Sequence, residues 1–121
     1  MTPMTVTEYR DEPAAIRLRV AGEVDIAGHD LLLHAVLAAV RAEGVGRVRV
    51  DLSAVTFLDS TGVGVLIAGR NAAHEHNVGY EVIGATGMVR DVLDLAGVTH
   101  ALLPEEEATA EKDSDTFGFG V

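Results

Sequence analysis

Asp59, Ser60 and Thr61 stand in a row, with Gly62 and Gly64 close behind, where a strand-like pattern gives way to a helical one. Side-chain oxygens at such a point accept from first-turn N–H groups, which have no partner within the helix. Capping is the ordinary work of such a triplet. The same position also suits a second chemistry. A helix N-terminus presents N–H donors and the positive end of the dipole, so it tolerates a phosphate. A phosphate on Ser60 would add a charge of about −1.5 to −2 beside Asp59, and beside Asp25 if the fold brings it there. A modification that the fold tolerates and a docked partner does not is a usable switch. Gly62 and Gly64 are expected to leave the turn uncrowded, open to the approach of another molecule.

Other reactive patterns are weaker. His74 and His76 bracket Glu75, but residues i and i+2 of a helix point apart and no third metal ligand is near in sequence, so a solvated helix end is expected. His29, His34 and His100 are isolated and are assigned surface or partly buried places. Gly62-x-Gly64 is only a fragment of a dinucleotide loop. The one lysine, Lys112, is not in a phosphate-binding loop, and Ser60 is not in a Gly-x-Ser-x-Gly elbow with a histidine base. With no cysteine in the chain, thiolate chemistry is excluded. No enzyme, metal site or cofactor is expected.

The elements that must position Ser60 are legible as changes of period. Residues 16–20, Ile-Arg-Leu-Arg-Val, alternate as a half-buried strand, and residues 6–9 read as a weaker strand before them. Leu32, Val36, Ala39 and Val40 fall at helical spacing, and Gly44 stops the helix. Val48, Val50 and Leu52 alternate with Arg47, Arg49 and Asp51, after which a short loop is expected to lead into the helix. Val63, Leu66, Ile67 and Ala73 make its apolar stripe. Residues 80–84 read as a strand, and Met88, Val89, Val92, Leu93 and Ala96 as a helix closed by a left-handed Gly97. Residues 101–103 are expected to form a last short strand. Strands alternating with helices indicate an α/β sheet with parallel crossovers. Because two strands alternate rather than running apolar throughout, helices should cover one face and leave the arginines on a wet one.

Composition narrows the function. The 121 residues fit one domain, and 48% hydrophobic content supplies its core with only 4% aromatics and no tryptophan. A formal charge of −10 is the wrong sign for phosphate backbones or anionic membrane surfaces. No apolar run approaches a membrane span of ~20 residues. No signal peptide is expected from Met1-Thr2-Pro3-Met4, and a cytoplasmic protein is the plain expectation. Six of the nineteen acids follow Pro104, with Lys112 as the sole base there. Residues 1–103 are therefore expected to be the domain, and residues 104–121 an acidic, disordered tail with at most a short exposed helix at its start. Phe117 and Phe119 in that tail are expected to belong to a frayed end.

Three stretches together resemble the STAS-domain anti-sigma factor antagonists, a bacterial family. They are Gly22-Glu23-Val24-Asp25, the run Asp-Leu-Ser-x-Val-x-Phe-Leu-Asp-Ser-Thr-Gly-Val-Gly at 51–64, and Val-Arg-Asp-Val-Leu-Asp-Leu-Ala-Gly-Val at 89–98. The resemblance spans about residues 6–103. It implies a STAS-like fold, a mixed sheet of four or five strands with helices packed on one face. It implies that Ser60 is phosphorylated by an anti-sigma factor that is itself a serine kinase. The unphosphorylated form would bind that kinase and release its sigma factor; the phosphorylated form would not bind until a serine phosphatase restored the free hydroxyl. It further implies that Asp25 lies beside the phosphoserine in partner recognition, with Asp59, Thr61, Gly62 and Gly64 in the same surface, and that the protein is a monomer or weak dimer. Exposed residues of the second helix such as Arg70 would extend the footprint. Two positions depart from the pattern: Gly28 stands where Ser or Thr often caps the first helix, and Gly87 where Pro often opens the third. The other reading of the same fold is a non-catalytic scaffold or accessory subunit of a signalling or transport complex.

Overall fold

A computed structural model describes residues 2–109. Its strands are β1 (Thr5–Glu12), β2 (Ala15–Val24), β3 (Arg47–Leu58) and β4 (Gly79–Ile83). Its helices are α1 (His29–Val40), α2 (Ser60–Glu75), α3 (Gly87–Ala96) and the single turns α4 (Thr99–Leu102) and α5 (Glu105–Ala108), with a 3-10 turn at Ile26–Gly28. The four strands form one sheet in the order β1-β2-β3-β4. β1 and β2 make an antiparallel hairpin, and β2, β3 and β4 are parallel. Right-handed crossovers that always step in the same direction place their helices on the same side. α1 and α2 accordingly pack against each other over one face, as the half-wet strand pattern foretold.

The core follows from the alternation. Ile16, Leu18, Val20 and Val24 of β2 and Val48, Val50, Leu52 and Leu58 of β3 point under the helices and are buried. They meet Leu32, Val36 and Val40 of α1 and Val63, Val65 and Leu66 of α2. On the open face Arg17 lies 4.4 Å from the centroid of the Tyr9 ring, donates to Asp11 at 2.8 Å and sits 3.8 Å from Asp51. Arg49 is 3.5 Å from Glu81. Arg17 and Arg49, two of the arginines that alternate with the core, are thus satisfied across strands, in the pairing that stabilises a sheet surface.

Two expectations need correction. The chain does not leave the sheet after Leu52, because β3 stays paired with β2 as far as Val24↔Leu58. Between the Arg19↔Asp51 and Val24↔Leu58 pairs β2 advances five residues and β3 seven, and two register shifts absorb the difference. Those shifts destroy the alternation that would have marked a strand. β4 ends opposite Asp51, and α3 packs against β3 instead. The predicted strand at 101–103 is not formed: residues 101 and 102 belong to α4 and Leu103 caps it, with Leu102 donating to Val98 and Leu103 to Thr99, while the Thr99 hydroxyl bonds Asp94. A run that short carries no readable period.

Gly97 does adopt the left-handed cap, with φ 76°. Gly87 has φ 55°, which the fixed ring of proline cannot reach, so this chain opens α3 by a different turn. The described start of the 104–121 segment packs on the domain. Ala108 is buried, and Arg90 donates to the carbonyls of Glu107 and Ala108, each at 2.9 Å, while its Nε bonds Asp94 at 3.0 Å. The Glu107 carboxylate accepts from the Gly84 N–H at 3.3 Å. The rest of the acidic segment, with Phe117 and Phe119, lies outside the described residues.

Tyr80 of β4 faces the helices, and its buried hydroxyl donates to the Leu66 carbonyl at 2.9 Å. Burial raises its pKa far above that of an exposed phenol. Room for the ring exists because position 69 is glycine: a Cβ there would lie 2.7 Å from the Tyr80 oxygen and 2.5 Å from Val36 Cγ1. Gly69→Ala should therefore destabilise the domain by about 1–3 kcal/mol through overpacking, despite the better helix propensity of alanine. A urea titration of both proteins, read at unchanged slope, measures it.

Candidate functional site

Parallel strands finish at one end of a sheet, and that end is where open α/β sheets place their sites. β2 and β3 finish level, with Val24 opposite Leu58 and the Asp59 N–H donating to the Val24 carbonyl at 3.2 Å. The residue after each strand is an aspartate. Asp25 accepts from the Ala27 N–H at 3.0 Å and caps the 3-10 turn. Asp59 caps α2, accepting from the N–H groups of Thr61 at 3.0 Å and Gly62 at 3.3 Å and from the Thr61 hydroxyl at 2.6 Å. The Thr61 hydroxyl bond, with the backbone bonds, lowers the Asp59 pKa against the opposing effect of burial, so it is a carboxylate at neutral pH.

Of the three oxygens in the triplet, then, Asp59 does the capping and Thr61 supports it. Ser60, the first residue of α2, is exposed, and its hydroxyl has no hydrogen-bond partner among the described residues. A phosphate there would find the Thr61 and Gly62 donors already taken by Asp59. It would keep the favourable dipole but project its charge outward beside a carboxylate.

The two glycines differ. Gly62 is buried, and a Cβ on it would lie 2.5 Å from Leu58 Cδ1 and 2.8 Å from Val24 Cγ1. It seats α2 on the strand ends rather than opening the surface. Gly64 is exposed, with nothing within 4 Å of a Cβ position, and lies one turn on from Ser60 along the helix. Arg70 is exposed on the same helix but ten residues from Ser60, about 15 Å along the axis, and belongs to the immediate site only if a partner is long. His74 is exposed, and the His76 ring donates to the Ala72 carbonyl at 2.9 Å, in keeping with a helix end.

Sequence reading missed the apolar surroundings. Ile26 is 76% exposed and Leu31 54%, and Phe57, opposite Glu23 in the register, is also exposed. Leu31 also lines a cavity of about 400 Å³, together with Pro3, Met4, Glu23, Asp25 and Gly28 among others. The signal available was Leu31-Leu32-Leu33, three adjacent leucines in a helix that fully buries only the middle one and leaves Leu31 exposed.

This geometry is accompanied by clear kinship. The family model described as "Mlab, STAS domain" matches residues 7–104, and the chain belongs to the STAS-domain family. It is similar to the anti-sigma-B factor antagonist of Staphylococcus epidermidis, with 27% identity over 94 residues covering 78% of this chain and 86% of the relative. Among solved structures, an anti-sigma factor antagonist from Mycobacterium paratuberculosis has a TM-score of 0.73 and 29% identity, over 88% of this chain and 91% of that one. The anti-sigma factor antagonist SpoIIAA in its unphosphorylated form has a TM-score of 0.72 at 19% identity, over 86% and 92% of the chains, a likeness of fold. No helix among the described residues is long and apolar enough to cross a membrane.

The cap makes a pH prediction. A carboxyl whose native pKa is lowered stabilises the fold above its unfolded value of about 3.9, and that stability is lost as pH falls through the native pKa. Asp59→Ala should cost about 1 kcal/mol at pH 7, whereas Asp59→Asn, also a good cap, should cost less and remove that part of the acid dependence. Denaturant midpoints between pH 7 and pH 3 for the three proteins provide the check.

Proposed function

We propose that this protein is a non-enzymatic anti-sigma factor antagonist switched by phosphorylation of Ser60. In this reading the unphosphorylated form binds an anti-sigma factor that is a serine kinase, and so releases a sigma factor. Phosphate on Ser60 ends the binding, and a serine phosphatase restores it. The observation that carries the reading is the division of labour at the head of α2: Asp59 and Thr61 complete the cap between them, leaving the Ser60 hydroxyl exposed and unbonded. Modification of Ser60 leaves the cap in place, whereas modification of Thr61 would break its bond to Asp59. The named relatives, antagonists of anti-sigma factors, support the same conclusion. Asp25, Asp59, Ser60, Thr61 and Gly64 form the surface, with Gly62 beneath it, and the protein acts in the cytoplasm as a monomer or weak dimer.

The switch works by charge. Two carboxylates already flank the serine, so a phosphate raises the local charge to about −4 at an interface that must exclude water to be tight. Ser60→Asp should weaken binding of the anti-sigma kinase at least about tenfold in calorimetry, and Ser60→Ala should bind like wild type while accepting no phosphate. Intact-mass analysis of protein from its own cells should show an added ~80 Da, one phosphoryl group, that is missing in Ser60→Ala. An added mass that persists in the variant, or none under any growth condition, would favour the scaffold reading.

A further inference from the structure

The cavity beside Asp25 is built in part from the chain's first described residues. One wall is the segment of residues 2–4 leading into β1, and two glycines hold it in place. A Cβ at Gly22 would collide with the Pro3 carbonyl, and the Glu23 N–H donates to the Thr2 carbonyl at 3.1 Å. At Gly28 a Cβ would lie 2.9 Å from Met4 Sδ and 3.0 Å from Met4 Cε. Gly28 caps α1 with no side-chain hydrogen bond. The missing cap and the seated thioether are the same fact, since the space a serine or threonine would fill at the head of α1 is occupied by Met4.

We propose that this cavity receives an apolar side chain of the anti-sigma factor, and that residues 2–4 are thereby part of the recognition surface. The proposal rests on the reading of Ser60 given above. Four observations carry it. The cavity shares Asp25 with the Ser60 corner, so a partner that covers the serine is continuous with it. Leu31, 54% exposed, lines it, while exposed Ile26 follows the lining residue Asp25 in the chain and exposed Phe57 pairs in register with the lining residue Glu23, so apolar surface lies near its mouth as in an interface core. Among the described residues its lining carries the carboxylates of Glu23 and Asp25 and no cation, so the fitting segment brings an apolar residue among neutral or basic neighbours. Its volume of about 400 Å³ suits a buried anchor of the kind that dominates binding energy. Methionine is an apt wall for such a pocket, because its unbranched thioether repacks around what enters.

Gly28→Ser separates this role from folding. A side chain there displaces Met4 and fills the cavity while giving α1 a better cap, so thermal stability should hold or rise. The probe is the purified anti-sigma kinase, with affinities measured by calorimetry at one salt concentration. Gly28→Ser, Met4→Ala and Leu31→Ala should each weaken binding about fivefold or more, as loss of an anchor does. If all three bind within twofold of wild type while Ser60→Asp abolishes binding, the cavity is no part of the interface and the proposal is overturned alone. If Ser60→Asp also binds like wild type, the parent reading fails and this one with it.

Discussion

The first turn of α2 reaches the ends of β2 and β3 only because residue 62 has no side chain, since a Cβ there would press into Leu58 and Val24. Interiors are packed too tightly to yield that space elsewhere. With the helix seated, Asp59 lies against the Val24 carbonyl, its carboxylate meets the Thr61 and Gly62 donors, and Ser60 is turned to solvent. The two strands must also end level, and β3 achieves this by taking two more residues than β2 over the same length. The exposed serine thus depends on a packing contact that never reaches the surface.

The electrostatics follow from that seating. Asp25 and Asp59 are both caps, held by backbone donors at the close of neighbouring strands. Each is fixed in position by its cap bond. Under the proposed switch, an anion added beside them would find the Thr61 and Gly62 donors already taken, so its charge would act largely on whatever lies outside. On the proposed reading, this would be a different design from a phosphate that folds or melts a segment, because the cap is complete before any phosphate is added.

Much of the fold is legible in residue patterns, and the failures have physical causes. The alternation of Ile16, Leu18 and Val20 and the stripe of Leu32, Val36 and Val40 report burial directly, because each element has one wet side. The second half of β3 was unreadable because its register shifts put Ser53, Ala54 and Thr56 out of phase. Residues 101–103 were too few to distinguish strand from helix. In the triplet the residue types announced a cap but not which oxygen forms it; that depends on the angle at which the chain leaves β3. Gly28 showed as a missing cap, and its cause, Met4, lies twenty-four residues away, beyond any local pattern. Gly62 was read as an opening toward solvent because sequence cannot tell a glycine that clears a surface from one that clears a core.

Arg90 grips the end of α5 by two main-chain carbonyls, those of Glu107 and Ala108. Such a grip reads the path of the backbone and is indifferent to most of the side chains on it. Glu105 and Glu106 touch solvent, so the composition of this short segment is free to drift over evolutionary time without loosening its attachment. The side chains held there are the small one at 108, buried beneath, and that of Glu107, which accepts from Gly84. The chain therefore keeps a root whose address is constant and whose lettering can be rewritten.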